Sequence, residues 1–212
     1  MPTSDYLAIP DVLRVVIGSR AESVLDIGVG FGKWGPLCRE YIEVSRGRMP
    51  GEWRSTIHGI EIFETYRNRN WAAYDEVFIG DVLTILPTLA RYDAILCCDV
   101  IEHFEKAEGQ RLLREMLAHA KIVVITSPRG ESPQGPEYGN AHEEHKSVWS
   151  EADFEAHPHR FADISDTFIA VVANDEEALR GVEVREPLEW LGVKNVSKTL
   201  LRMIAKRVTG RR

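Results

Sequence analysis

The segment Asp26-Ile27-Gly28-Val29-Gly30-Phe31-Gly32 constrains this chain more than any other. It closes a short apolar run, residues 23–28. It opens residues 33–44, where Trp34, Leu37, Cys38 and Tyr41 recur every three or four positions, as on one face of a helix. Glycines at a strand-to-helix turn permit positive φ and leave room for a ligand. The helix start then offers unpaired N–H groups to anionic atoms. A dinucleotide fingerprint would read G-x-G-x-x-G. Here Gly32 comes one residue early and Lys33 holds the place of the last glycine, which argues against a nicotinamide or flavin oxidoreductase.

The rest of the chain alternates between the two periodicities. Strands are predicted at 55–62, about 76–80, about 92–98 and 121–127, and a helix over 109–120 with Leu112, Leu113, Met116 and Leu117 on one stripe. The runs in 92–98 and 121–127 are apolar at nearly every position, as expected of strands covered on both faces. Such alternation predicts βαβ units and a parallel sheet. Residues 161–174 read as two strands around Ser165-Asp166, an edge hairpin. Residues 127–147 form a long polar loop, a length that is often functional. Ser150 is suited to cap a short helix after it.

VLDIGVGFG resembles the first motif of class I S-adenosylmethionine-dependent methyltransferases. The other landmarks follow in that family's order over roughly residues 23–172. The resemblance implies an α/β fold, a Rossmann-like three-layer sandwich whose seven-stranded sheet is mostly parallel with an antiparallel edge hairpin. It implies S-adenosyl-L-methionine as cofactor, bound by Asp26, Gly28, Gly30 and Gly32. Glu61, after the second strand, would bind the ribose hydroxyls, since a carboxylate can accept from both oxygens of a vicinal diol. Asp81 would bind the adenine amine with Val82 nearby, and Asp99 opens DVIEHF, similar to the fourth motif of small-molecule members. The strand ends that carry these residues are where open α/β sheets bind ligands.

The implied activity is methyl transfer to a hydroxyl, or second to an amine, of a small-molecule or saccharide acceptor. His103 is the candidate general base, because an imidazole near neutral pKa can take a hydroxyl proton. His142, His145 and Trp149, in or just after the long loop, are candidate acceptor residues. A metal is not expected, but Glu102, His103 and His145 are the oxygen and nitrogen donors that could hold one. Asp99-x-x-Glu102-His103 with the later His145 is similar to metal-dependent RNA 2′-O-methyltransferases, although Asp99 departs from the usual Glu. A metal-dependent RNA enzyme is therefore one alternative, and a non-catalytic cofactor-binding partner protein another.

Residues 1–193 read as one domain, with a candidate lid helix within 1–20, and residues 194–212 as a basic amphipathic helix or tail. That tail holds seven basic residues and no acid, which leaves 19 basic against 33 acidic residues before it. So acidic a body argues against broad nucleic-acid binding. The tail suits an anionic membrane surface or a polyanion, or simple packing on the body. No run approaches the roughly 18 apolar residues of a membrane span, and the N-terminus lacks a secretory layout, so a cytoplasmic location is expected. Cys38, Cys97 and Cys98 have no disulfide or zinc spacing. Oligomeric state and acceptor identity are not written in the sequence.

Overall fold

The computed structural model describes residues 3–184, so the basic segment 194–212 lies outside the described residues. Seven strands form one sheet: β1 Ser23–Ile27, β2 Thr56–Glu61, β3 Glu76–Ile79, β4 Tyr92–Cys98, β5 Ala120–Pro128, β6 His159–Ile164 and β7 Thr167–Ala173. Their order is β3-β2-β1-β4-β5-β7-β6. The first five are mutually parallel; β7 runs antiparallel to β5, and β6 antiparallel to β7. This is the expected Rossmann-like sandwich. The strand order reverses between β1 and β4, and ligands bind beyond the carboxyl ends at such a switch point.

Two apolar cores flank the sheet because successive strand side chains point to opposite faces. Val24 of β1 packs with Val12, Val15 and Val16 of α1 (Ile9–Gly18) and with Trp34 of α2 (Trp34–Cys38). Leu25 and Ile27 pack on the other face with Leu112, Leu113 and Met116 of α4 (Lys106–His119). Val82 and Leu86, in and just after α3 (Val82–Ile85), complete that layer. Each such side chain contributes on the order of 2 kcal/mol when fully buried. The three cysteines are free and buried. Among the described residues no helix is long and apolar enough to cross a membrane.

The structure departs from sequence expectation in three places. Helix α4 begins at Lys106, three residues early, because its polar first turn favours helix without an apolar period. The helix expected over 33–44 is α only to Cys38 and then widens into a π turn, Arg39–Glu43. There Arg39 turns inward, its guanidinium donating to the Ala73 and Ser55 carbonyls at 2.9 Å each. Glu43 accepts from the Arg54 N–H at 2.8 Å. The N-terminal helix is a packed layer rather than a lid: Val12, Val15 and Val16 are fully buried in it. Among the described residues of the N-terminal segment, only 3 and 4 reach the cleft described next.

Candidate functional site

A cleft of about 480 Å³ opens at the carboxyl ends of β1, β2, β3 and β4. Its floor is the glycine loop, where Gly28, Gly30 and Gly32 have φ of 75°, 53° and 76°. At Gly28 a Cβ would lie 2.5 Å from Val100 Cγ2, so glycine is required by space as well as by φ. The loop is clamped from the segment between β2 and β3. Trp71 Nε1 donates to the Gly30 carbonyl at 2.9 Å, and Asn68 and Asn70 donate to the Phe31 carbonyl at 3.2 and 3.1 Å. Asn70 also lines the cleft. No spacing rule singles these clamps out, since they reach the loop only once the sheet is formed.

Glu61 lines the cleft at the end of β2. Its carboxylate accepts from the Gly30 and Phe63 N–H groups at 2.8 Å each. Each oxygen keeps a second lone pair for a ligand hydroxyl. Burial raises its pKa, the bonds from Gly30 and Phe63 oppose this, and the charge of Glu143 adds to the rise. Asp81 caps α3, accepting from the Leu83 N–H at 2.8 Å, and both it and Val82 line the cleft. Asp99 has φ of 53° and accepts from Thr126 Oγ1 and from the Asp5 N–H, each at 2.9 Å. Burial raises its pKa as well. Lys33 ties down the N-terminal segment through the Ser4 carbonyl and hydroxyl.

Asp26 sits elsewhere. It is 1% exposed and does not line the cleft. Tyr74 donates its hydroxyl to Asp26 at 2.5 Å and accepts from the Gly35 N–H at 2.8 Å. Here Asp26 supports the loop from beneath. Burial pushes its pKa up to about 8, partly opposed by the Tyr74 bond and increased by Glu61. Folded Asp26 therefore keeps a proton that the unfolded chain gives up near pH 4. Stability carried by that proton is lost as pH rises toward 8. Denaturant unfolding at pH 5 and pH 8 should show the native protein losing about 3 kcal/mol more than Asp26→Asn across that interval, because one proton is worth about 1.4 kcal/mol per pH unit. Equal slopes for the two proteins would remove Asp26 as the proton store.

His103, His142, Glu143 and Asn140 also line the cleft. Tyr66 donates to Glu143 at 3.0 Å, a pairing absent from the sequence reading. Burial lowers the His103 pKa to about 4, so the ring is neutral at physiological pH. Its Nδ1 lies 3.2 Å from the Glu144 carbonyl. A carbonyl only accepts, so the ring donates to it, and the Asp99 backbone also hydrogen-bonds the ring. His145 repeats the arrangement, with Nδ1 2.5 Å from the Ser132 carbonyl. The two rings are 5.0 Å apart. Donor atoms of Glu102, His103 and His145 all lie within 4.8 Å of one another.

Of the candidate acceptor residues, the structure brings only His142 to this cleft. His145 lines a second, smaller cavity. Trp149 lines neither; it is 1% exposed, stacked on Phe154 at 5.9 Å, and its Nε1 donates to Ser147 Oγ. Its neighbours make it a core residue, not an acceptor contact.

No protein-family model matches the chain, and no curated protein matches it in sequence. Solved structures do share its fold. The methyltransferase domain of bacterial CtHen1 is 18% identical, with 79% of this chain and 97% of that chain aligned at a TM-score of 0.55. The N-terminal domain of EvdMO1, solved in the presence of SAH and D-fucose, is 18% identical, with 81% and 85% aligned at 0.52. An O-methyltransferase family protein from Burkholderia thailandensis is 11% identical at 0.59, and there this chain spans 55% of the longer protein. At these identities the likeness is one of fold, that of the class I S-adenosylmethionine-dependent methyltransferases.

Proposed function

We propose that this protein transfers a methyl group from S-adenosylmethionine to a hydroxyl of a small-molecule or saccharide acceptor, with His103 as the base. The observation that carries the reading is His103, a neutral imidazole that lines the same cleft as the glycine loop and Glu61. The cleft's volume is within the roughly 300–1,000 Å³ of small-molecule sites. Glu61 would take the ribose hydroxyls on its spare lone pairs, and Asp81 with Val82 would face the adenine. Asp99 and Lys33, which also line the cleft, would take the charged amino-acid end. The bound cofactor supplies an electrophilic methyl carbon and a neutral thioether leaving group. The chain's part is to align the acceptor oxygen, exclude water and accept its proton at His103. A structural neighbour solved with SAH and D-fucose supports both cofactor and acceptor class.

Calorimetric titration with S-adenosylmethionine and, separately, NADH tests the reading. Micromolar binding of the sulfonium compound alone is expected. Binding of NADH alone, or of neither, would overturn it.

A second reading is favoured by one arrangement. Glu102 is 2% exposed, and a ring nitrogen of each of His103 and His145 lies within 4.8 Å of its carboxylate. Fixing Nδ1 on a carbonyl is how proteins orient metal-binding histidines. A divalent cation held there would act as a Lewis acid on the acceptor oxygen. The RNA-directed alternative needs this metal, so activity that survives a chelator removes both.

A further inference from the structure

The two charged groups assigned above to the amino-acid end of the cofactor are both bonded to one short stretch of chain. Asp5 donates its backbone N–H to Asp99 Oδ2 at 2.9 Å. Lys33 Nζ donates to the Ser4 carbonyl and, at 3.0 Å, to the Ser4 hydroxyl. Thr3 and Ser4 line the same cleft as Lys33 and Asp99, and Ser4 is 8% exposed. Resting on the methyl-transfer reading above, we propose that Ser4 and Asp5 form a strap that positions Lys33 and Asp99 for the amino-acid end of the cofactor, so that the N-terminal segment is part of the cofactor site.

The strap starts from a fixed point. The Asp5 carboxylate accepts from the Leu7 N–H at 2.9 Å and so caps the turn Tyr6–Ala8, which leads into α1. Ala8 and Val12 are fully buried in the core on that side of the sheet. The strap therefore reaches the cleft from a helix that packing already holds in place.

Its bonds leave room for a ligand. Among the described residues, Ser4 takes two of the three N–H groups of the Lys33 ammonium, and Thr126 and Asp5 take one site on each Asp99 oxygen. One N–H and a second lone pair on each oxygen remain. The cofactor's amino-acid end is a zwitterion, so Lys33 would meet its carboxylate and Asp99 its ammonium. A lysine ammonium rides on a flexible four-carbon stem, and fixing that stem costs rotamer entropy. The strap fixes it before the cofactor arrives, so that cost does not fall on binding.

The test uses two ligands that differ only at the end in question. SAH carries the amino-acid end. 5′-Methylthioadenosine shares its adenine, ribose and thioether sulfur but ends in a methyl group. Calorimetry on the full chain comes first. If neither ligand binds, the methyl-transfer reading falls and this proposal with it. If SAH binds no more tightly than 5′-methylthioadenosine, the proposal alone falls, because the amino-acid end is then not held. Two variants follow. Asp5→Pro deletes the N–H given to Asp99, at a φ of −56° that suits proline, and Asp5→Ala, which keeps the N–H, controls for the lost cap. Deletion of residues 2–5 removes the strap whole. Asp5→Pro should bind SAH about tenfold more weakly than Asp5→Ala, and the deletion about tenfold or more below the native chain, the usual worth of a hydrogen bond to a charged group. Affinity for 5′-methylthioadenosine should hold in both variants, which also reports that they are folded. SAH affinity unchanged in either variant overturns the proposal. A parallel loss of both ligands overturns it too, since the strap then only supports the fold. A gain in SAH affinity overturns it as well, since the strap then competes with the cofactor for Lys33 and Asp99.

Discussion

Replacing His103 by alanine is expected to lower turnover by about 10² to 10⁴-fold, the usual contribution of a positioned general base. SAH affinity should change by less than about threefold, because the ring meets only the backbone of Asp99 and no side chain named above as a cofactor anchor. The imidazole is held neutral by burial, with a pKa near 4. The native enzyme's rate should therefore stay flat as pH falls through 6.5 and drop only near 4. The folded pKa lies below the unfolded value, so charging His103 also opposes folding in acid. A pH profile of kcat for the native enzyme, beside single-turnover rates for the variant, checks both statements. An acid limb near 6.5, or an alanine variant with native turnover, would place the proton elsewhere.

Trp149→Ala should cost about 3–5 kcal/mol of stability, the range for removing a buried aromatic. The indole is stacked on Phe154, and its Cζ2 would lie 2.5 Å from a Cβ placed at Gly109 of α4. Truncation leaves a void between that helix and the loop, with little to collapse into it. For a chain of this size the melting temperature should fall by roughly 10 °C. At temperatures where the variant is still folded, SAH binding should be native. A variant that melts normally but loses acceptor binding would return Trp149 to the role the sequence first suggested.

That contrast marks how far the sequence could be read. β4 and β5 were legible because apolar residues on both faces leave no periodicity to misjudge. Glu61 and Asp81 were legible because each ends a strand, and the sheet carries strand ends to one edge. Trp149 was not. Its neighbours His145, Lys146, Ser147 and Ser150 are polar, and the residues that bury it, Gly109 and Phe154, come from a helix and a turn on either side of the long loop. Asp26 was placed beside the ligand because its motif puts it next to the glycines. Its pairing with Tyr74, 48 residues away, is a tertiary fact with no local trace. The same holds for Lys33 on Ser4 and Tyr66 on Glu143. Local rules found the elements and the strand ends, and long-range contacts decided which side chains face the cleft.

The position of β7 has a consequence for how the chain is made. This strand is buried at all seven residues and lies between β5 and β6, yet among the described residues it is the last strand. As the polypeptide leaves the ribosome, β5 is complete well before its neighbour exists. At usual synthesis rates the gap is on the order of seconds. During that time β5, apolar from Ile122 to Ile125, presents an unpaired edge of the kind that recruits foreign strands. The nascent chain thus passes through an aggregation-exposed stage that ends only when the β6–β7 hairpin arrives.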